Sequence, residues 1–65
     1  MNVKEHLMSI HQRGFDDGLA GVSESDALRR RIEYVTALER ELYGNGYSYG
    51  NILLWATAKQ PPTES

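Results

Sequence analysis

The side chains best suited to chemistry in this chain are two histidines and two adjacent aspartates. His6 and His11 are five residues apart, whereas the two histidines of a helical zinc site are about four residues apart and share one face of the helix. Asp16 and Asp17 would point about 100° apart on a helix, so they do not form a general acid and base pair. We therefore expect no metal, no cofactor and no enzymatic activity, and we expect His11 to pack against a neighbouring helix.

The charged residues favour a protein partner over a nucleic acid. Seven basic and nine acidic residues give a formal net charge of -2, whereas nucleic-acid binders depend on neutralising phosphates. The basic run Arg29–Arg31 would point in three directions on a helix and has Asp26 and Glu33 near it. Salt bridges within the fold are the favoured interpretation of this run, and contact with a partner or with RNA is the alternative. Asp16 and Asp17 form either a solvated acidic face or a patch that meets a basic surface on a partner.

Six aromatic residues supply the largest side chains of the chain. We expect Phe15 and Tyr43 in the core. Tyr47, Tyr49 and Trp55 are equally suited to the core and to an interface, because tryptophan and tyrosine are enriched at the energetic centres of interfaces.

The length of the chain predicts one domain that is stabilised by self-association. A domain of 65 residues buries only about 60% of the surface of its unfolded chain, and without cysteine it has no disulfide to compensate. We expect residues 1–59 to form one helical domain, residues 60–65 to be a disordered polar tail, and two copies to form a homodimer. No apolar run approaches the roughly 20 residues of a membrane span, and the N-terminus has no signal pattern. We therefore expect no membrane contact and a cytoplasmic location.

Apolar periodicity predicts a long first helix from Val3 to Ala20. Gly14 and Gly18 fall at the centre of its apolar face, where a second helix would approach closely. Gly21 follows the last periodic residue and suits a left-handed C-terminal cap.

The rest of the chain predicts a second helix from Glu24 to Tyr43 and a short third one. Gly44–Gly46 is a strong break signal between them. Ser48 or Asn51 would cap the third helix, which ends near Lys59. The alternative is that helix two continues through the glycines.

These elements predict an all-α fold built on a helical hairpin. The short connection after the first helix favours an antiparallel pair, and two such pairs would dimerise into a four-helix-type bundle. The segment Ile52–Ala56 is apolar on every side, which is a second reason to expect a dimer. The residues expected at helix-packing or dimer contacts are Leu7, His11, Gly14, Phe15, Gly18, Ile32, Val35, Leu42 and Ile52.

The segment His11–Gly21 resembles the first-helix motif of the ribosome modulation factor family (Rmf/CrpP-type). That motif has a basic residue, a glycine and an aromatic residue, then two variable residues, then glycine, an aliphatic residue, alanine and glycine. A weaker echo, Gly46–Gly50, follows 32 residues later. The resemblance implies a very small helical protein of a kind often borne by phages and plasmids. Ribosome modulation factor is basic and binds ribosomal RNA, whereas this chain is acidic and has Val22–Glu24 in place of the family's cysteine-proline-tyrosine.

Charge balance, surplus apolar surface and the resemblance together predict a small, non-enzymatic, protein-binding regulator. We expect it to be encoded by a phage or mobile element and to inhibit a host regulatory protein, for example a transcription regulator. The alternative is a ribosome-associated factor of the modulation or hibernation type. The residues expected to bind the partner are Arg13, Asp16, Asp17, Arg30, Tyr47, Tyr49 and Trp55.

Overall fold

The computed structural model describes residues 2–59, and all of its regular structure within that range is helical. Helix α1 spans Val3–Leu19, α2 spans Glu24–Arg31, and α3 spans Ala37–Lys59. None of these helices combines the length and the apolar content needed to cross a membrane. The prediction made for residues 60–65 lies outside the described residues.

Helix α1 confirms the predicted first helix to within one residue. Its N-terminus is capped by Asn2, whose side-chain oxygen accepts hydrogen bonds from the N–H groups of Lys4 and Glu5 at 3.0 and 3.3 Å. Its C-terminus is followed by Gly21, which has a φ of 82° and is the one described residue in the left-handed region. The predicted glycine cap is therefore confirmed.

Helix α2 is much shorter than predicted. It begins after Ser23, whose hydroxyl accepts a hydrogen bond from the N–H of Asp26 at 3.3 Å, and it ends at Arg31. The prediction of one helix from Glu24 to Tyr43 is wrong. Ile32 and Val35, placed by that prediction on a packed helix face, lie in the connection between α2 and α3 and are 61% and 83% exposed.

A capping box explains why a new helix begins at Ala37. The N–H of Glu39 donates to the Thr36 hydroxyl at 3.2 Å, and the N–H of Thr36 donates to the Glu39 carboxylate at 3.1 Å. Arg40 also donates from Nε to the Tyr34 carbonyl at 2.9 Å, which holds the connection against the new helix. The sequence carries this Thr-x-x-Glu signal, but the continuous apolar periodicity concealed it.

Helix α3 runs without interruption through Gly44–Gly46 to Lys59. The predicted break and the separate short helix beginning near Ser48 are wrong. The predicted end near Lys59 coincides with the last described residue and stays a prediction. The alternative of a helix that continues through the glycines is the one observed, with its start at Ala37. The reason is tertiary, because Gly46 lies against the backbone of α1.

Helices α1 and α3 are neighbours and run in the same direction. His6 lies beside Glu39, Gly14 lies beside Tyr43, and Gly18 lies beside Asn51, so residue numbers rise together along the two helices. The predicted antiparallel pairing of the first two helices is wrong. Helix α1 packs mainly on α3, and α2 belongs to the connection that returns the chain to the starting end of α1.

Four glycines bring the backbones of α1 and α3 into contact. Each one faces a carbonyl group of the other helix, and a Cβ added to it would overlap that carbonyl oxygen: Gly14 faces Tyr43, Gly46 faces His11, Gly18 faces Tyr47 and Gly50 faces Phe15. The contacts are reciprocal, since Gly14 and Gly46 are 32 residues apart, as are Gly18 and Gly50, and each glycine faces the carbonyl group three residues before its counterpart on the other helix. Small residues four apart on each of two parallel helices allow this approach and the Cα–H···O contacts that go with it.

The buried apolar core of the described residues is small. It consists of Ile10, Ala27 and Tyr43, which are 3%, 5% and 1% exposed. Tyr43 is therefore a core residue as predicted. Half-buried side chains pack around these three: Val22, Tyr34, Leu42 and Tyr47.

Gly46→Ala should destabilise the protein by about 1–3 kcal/mol or more, because the added methyl group must displace the α1 backbone at His11 and Phe15. Gly44→Ala is the matched control on the same helix. Its methyl group would lie 3.3 Å from the Arg31 guanidinium, the movable end of a long side chain. We expect that variant to be neutral or slightly stabilised, since alanine favours a helix over glycine by up to about 1 kcal/mol. Equal unfolding midpoints in urea for the two variants would contradict the close-crossing account.

Candidate protein-binding surfaces

Asp17 and Arg30, which were both predicted to bind a partner protein, bind each other. The Arg30 guanidinium lies 3.1 Å from Asp17 Oδ2, and the buried Tyr43 hydroxyl donates a hydrogen bond to the same carboxylate. Burial, and next the hydrogen bond to Asp17, raises the pKa of Tyr43, while the hydrogen bond to Asp17 raises the pKa of Arg30. Asp17 is on α1, Arg30 on α2 and Tyr43 on α3, so the cluster joins all three helices.

Tyr47 and Asn51 join α3 to the C-terminal end of α1. The Tyr47 hydroxyl donates to the Val22 carbonyl at 2.5 Å, and the Asn51 amide donates to the Gly18 carbonyl at 3.1 Å. Gly18 is in the last turn of α1, and Val22 is in the connection that follows it, so these two side chains hold both the helix end and the connection against α3. Of the two positions expected for Tyr47, core or interface, the core is the one observed, since its half-buried side chain packs against the core residues.

The N-terminal ends of α1 and α3 are joined by His6 and Glu39. Their Nε2 and Oε2 atoms are 3.0 Å apart, and the Glu39 side chain is 17% exposed. The hydrogen bond from His6, followed by the N–H and the hydroxyl of Thr36, lowers the pKa of Glu39 to about 2. His6 therefore has a helix-pairing position, and no group of three or more potential metal ligands occurs among the described residues.

One side of the α1–α3 pair carries an apolar surface that we call the open face. Its residues are placed there by the contacts between the two helices and by helical periodicity. On α1 they are Leu7, Met8, His11, Phe15 and Leu19, and on α3 they are Leu38, Leu42, Asn45, Tyr49, Ile52 and Ala56. A groove of about 340 Å³ runs between the two sets near their N-terminal ends. Farther along the face, the ring centroids of His11 on α1 and Tyr49 on α3 are 6.3 Å apart. Met8, Tyr49 and Ile52 are 61%, 62% and 63% exposed.

Helix α2 covers the other side of α3. The residues of α3 that line the space beside α2 include Tyr43, Gly44 and Tyr47. At about 100° per residue they point away from Leu42 and Tyr49, so the open face has no helix over it in the described chain.

A second surface, which we call the α2 groove, lies between α2 and α3. It is a cleft of about 310 Å³ lined on the α2 side by Glu24, Leu28 and Arg31, and on the α3 side by Ser48 among others. An adjoining cleft, also lined by Glu24 and Ser48, extends to Trp55, which is 59% exposed. Ile52 lines this cleft as well, so it lies at the border between the cleft and the open face.

The remaining predicted contact residues are on the surface. Asp16 is exposed and accepts a hydrogen bond from the Gln12 amide at 2.9 Å. Arg13 is exposed and lines a shared cavity with Arg30, together with Glu33 and Tyr34. The residues predicted to bind a partner thus lie in different places. Asp17 and Arg30 belong to the cluster with Tyr43, Tyr47 packs on the core, and Tyr49 is on the open face. The others are Trp55, in the cleft that adjoins the α2 groove, and Arg13 and Asp16, on other exposed surface.

Sequence reasoning missed Leu38 and Asn45 on the open face, and Leu28 in the α2 groove. Leu38, Leu42, Asn45, Tyr49, Ile52 and Ala56 are spaced by four and three residues in alternation, which is a heptad signal. The signal could have been found, but the assumed break at Gly44–Gly46 divides it in two.

Tyr43→Phe should lower the free energy of unfolding by about 1–3 kcal/mol, because it leaves the half-buried Asp17 carboxylate without one of its two donors. Tyr34→Phe is the matched control, since the Tyr34 hydroxyl makes no hydrogen bond among residues 2–59 and its ring lies 5.8 Å from that of Tyr43. Chemical unfolding should separate the two variants. A Tyr43→Phe protein as stable as the Tyr34→Phe protein would refute the role given to the cluster.

The lowered pKa of Glu39 predicts a specific loss of stability in acid. A carboxyl group whose pKa is about 2 in the folded chain and 4.5 ordinarily contributes stability in full above 4.5, and that contribution is lost as the pH falls through 2. Glu39→Gln should therefore reduce the difference in the free energy of unfolding between about pH 6 and about pH 2.5. Glu41→Gln, at an exposed position of the same helix, should leave that difference nearly unchanged. The same pH dependence in the wild type and in Glu39→Gln would rule out this carboxylate as the source.

Comparison with protein-family models, with curated proteins and with solved structures found no match. The case for a function therefore rests on the surfaces of the chain and on the motif at residues 11–21.

Proposed function

We propose that this protein is a small non-enzymatic regulator that binds a host regulatory protein and inhibits it. In this proposal it is encoded by a phage or mobile element, acts in the cytoplasm as a homodimer, and has a transcription regulator as an example of its target. The resemblance of His11–Gly21 to the ribosome modulation factor family, with its phage-borne and plasmid-borne members, supports the origin.

The observation that carries the proposal is that α3 exposes large apolar side chains on both of its free sides. Tyr49 and Ile52 are exposed on the open face, and Trp55 is exposed beside the α2 groove. Extended apolar patches on small proteins mark interaction sites. Two such patches on one helix call for two occupants.

The two surfaces differ in a way that suits two roles. The six α3 positions of the open face at heptad spacing carry no charged residue, which suits self-association. The α2 groove combines an apolar floor with the charged side chains of Glu24 and Arg31 at its walls. A tryptophan and an arginine at the edge of a concave site are typical of the residues that dominate binding energy, so we assign this groove to the host protein.

The alternative function is association with the ribosome. It is favoured by Arg13, part of the family-like motif, and Arg30, which line one cavity although they are on different helices. Asp17 and Glu33 offset their charge there, and RNA affinity depends on net phosphate neutralisation. The protein-binding role is therefore the one we propose.

The test is affinity capture from host lysate with three tagged proteins. Wild type and Val35→Ser, a change of an exposed apolar residue outside the groove, should enrich the same host protein. A Leu28→Ser/Trp55→Ser double variant should lose roughly tenfold or more of that enrichment, as expected on removal of energetically dominant residues. Equal enrichment by all three proteins, or none above background, would refute the assignment. Sedimentation of the wild type with ribosomes at low salt would favour the alternative instead.

A further inference from the structure

We infer that the open face binds a second copy of this chain in an antiparallel two-fold dimer, in which Asn45 of one copy lies opposite Tyr49 of the other. This inference deepens the homodimer of the proposed function by naming the face, the direction and the central contact. It does not depend on the identity of the host protein.

The residues of the open face along α3 have the spacing of a helix-packing seam. The seam positions are Leu38, Leu42, Asn45, Tyr49, Ile52 and Ala56, which alternate between steps of four and three residues over the length of the helix. This is the spacing at which one helix packs along another. Within residues 2–59 no helix covers it, since α1 lies beside the seam and α2 lies on the other side of α3.

The area of the open face is also in the range that a dimer requires. Helices of 17 and 23 residues make a face roughly 25–35 Å long, and two adjacent helices make it roughly 18–20 Å wide. Its projected area is therefore on the order of 500–700 Å². Each partner in a standard specific interface buries about 800 Å² of accessible surface, and a side-chain surface exceeds its projection, so the open face is large enough for a stable dimer.

A second copy of the chain complements this uncharged seam better than a charged partner would. The seam has no charged residue, so it offers no charge pattern by which to select a partner of opposite sign. A two-fold dimer presents the same apolar seam to itself and so satisfies complementarity without charges.

The direction follows from how the seam pairs with itself. In an antiparallel pair the six positions match completely: Leu38 with Ala56, Leu42 with Ile52, and Asn45 with Tyr49, each pair occurring twice. Leu38 at one end of the seam thus meets the small side chain of Ala56 at the other end. The two-fold axis passes between positions 45 and 49, at the middle of the seam.

Asn45 provides the polar contact that specifies this register. It is exposed, and its amide makes no hydrogen bond to other side chains or backbone groups among residues 2–59. A single asparagine in an apolar seam selects register and direction at some cost in stability. In the antiparallel register the Asn45 amide faces the Tyr49 hydroxyl of the other copy, which can both donate and accept.

The experiment is sedimentation equilibrium of the purified full chain, using Asn45→Lys, Tyr49→Asp and their 1:1 mixture. Wild type should be a dimer at micromolar concentration. Each single variant should dimerise at least about tenfold more weakly, because it buries two unpaired charges at the axis. The mixture should recover a heterodimer, in which one lysine meets one aspartate and the other contact remains asparagine with tyrosine.

The controls separate this inference from other arrangements. Leu28→Lys, at an exposed position in the α2 groove, should leave the dimer intact, and circular dichroism should show unchanged helix content in every variant. A monomeric wild type, or single variants that dimerise normally, would overturn the choice of face. Weakened single variants whose mixture shows no rescue would overturn the antiparallel direction, because a parallel pair places position 45 against position 45.

The outcome is independent of the proposed inhibitor role. A wild-type dimer that captures no host protein would leave this inference standing and remove the target. Capture of a host protein by a monomeric wild type would support the proposed target and refute the dimer.

Discussion

The close crossing of α1 and α3 is the constraint on which the rest of this structure depends. Glycine costs up to about 1 kcal/mol in the interior of a helix relative to alanine, and this pair of helices contains four at its contact. The compensation is direct backbone contact, in which carbonyl groups such as those of Tyr43 and His11 occupy the space that a side chain would fill. Because the contacts are reciprocal, neither helix can be shifted along the other without a clash.

The parallel direction of that pair determines what the remaining residues must do. Parallel neighbours need a connection that returns the chain to the starting end, and α2 with its flanking turns provides it. The connection is held by the Asp17 cluster, where Arg30 and Tyr43 share one carboxylate. Two of the four charged residues that the sequence suggests for a partner, Asp17 and Arg30, are thus used to close the fold.

This arrangement leaves two apolar surfaces of α3 uncovered among the described residues. A helix pair with α2 on one side has one apolar face free, and the exposed Tyr49 and Ile52 lie there. On the other side, the short α2 leaves a groove that continues to Trp55. A chain of this size has too few residues to cover both surfaces, so self-association and partner binding are assigned to different sides of α3.

The sequence by itself determined the local features: the bounds of α1, the Gly21 cap, the core position of Tyr43 and the helical class. Each depends on neighbours within a few residues. It did not determine which helices pair, or in which direction. Gly44–Gly46 reads locally as a break, because isolated glycines disfavour a helix, and only contact with α1 makes Gly46 favourable in α3. The same contact decided which side of α3 was left exposed. The 32-residue repeat of the glycine-aromatic block was visible in the sequence, but its meaning, two helices crossing through matching glycines, required the tertiary structure.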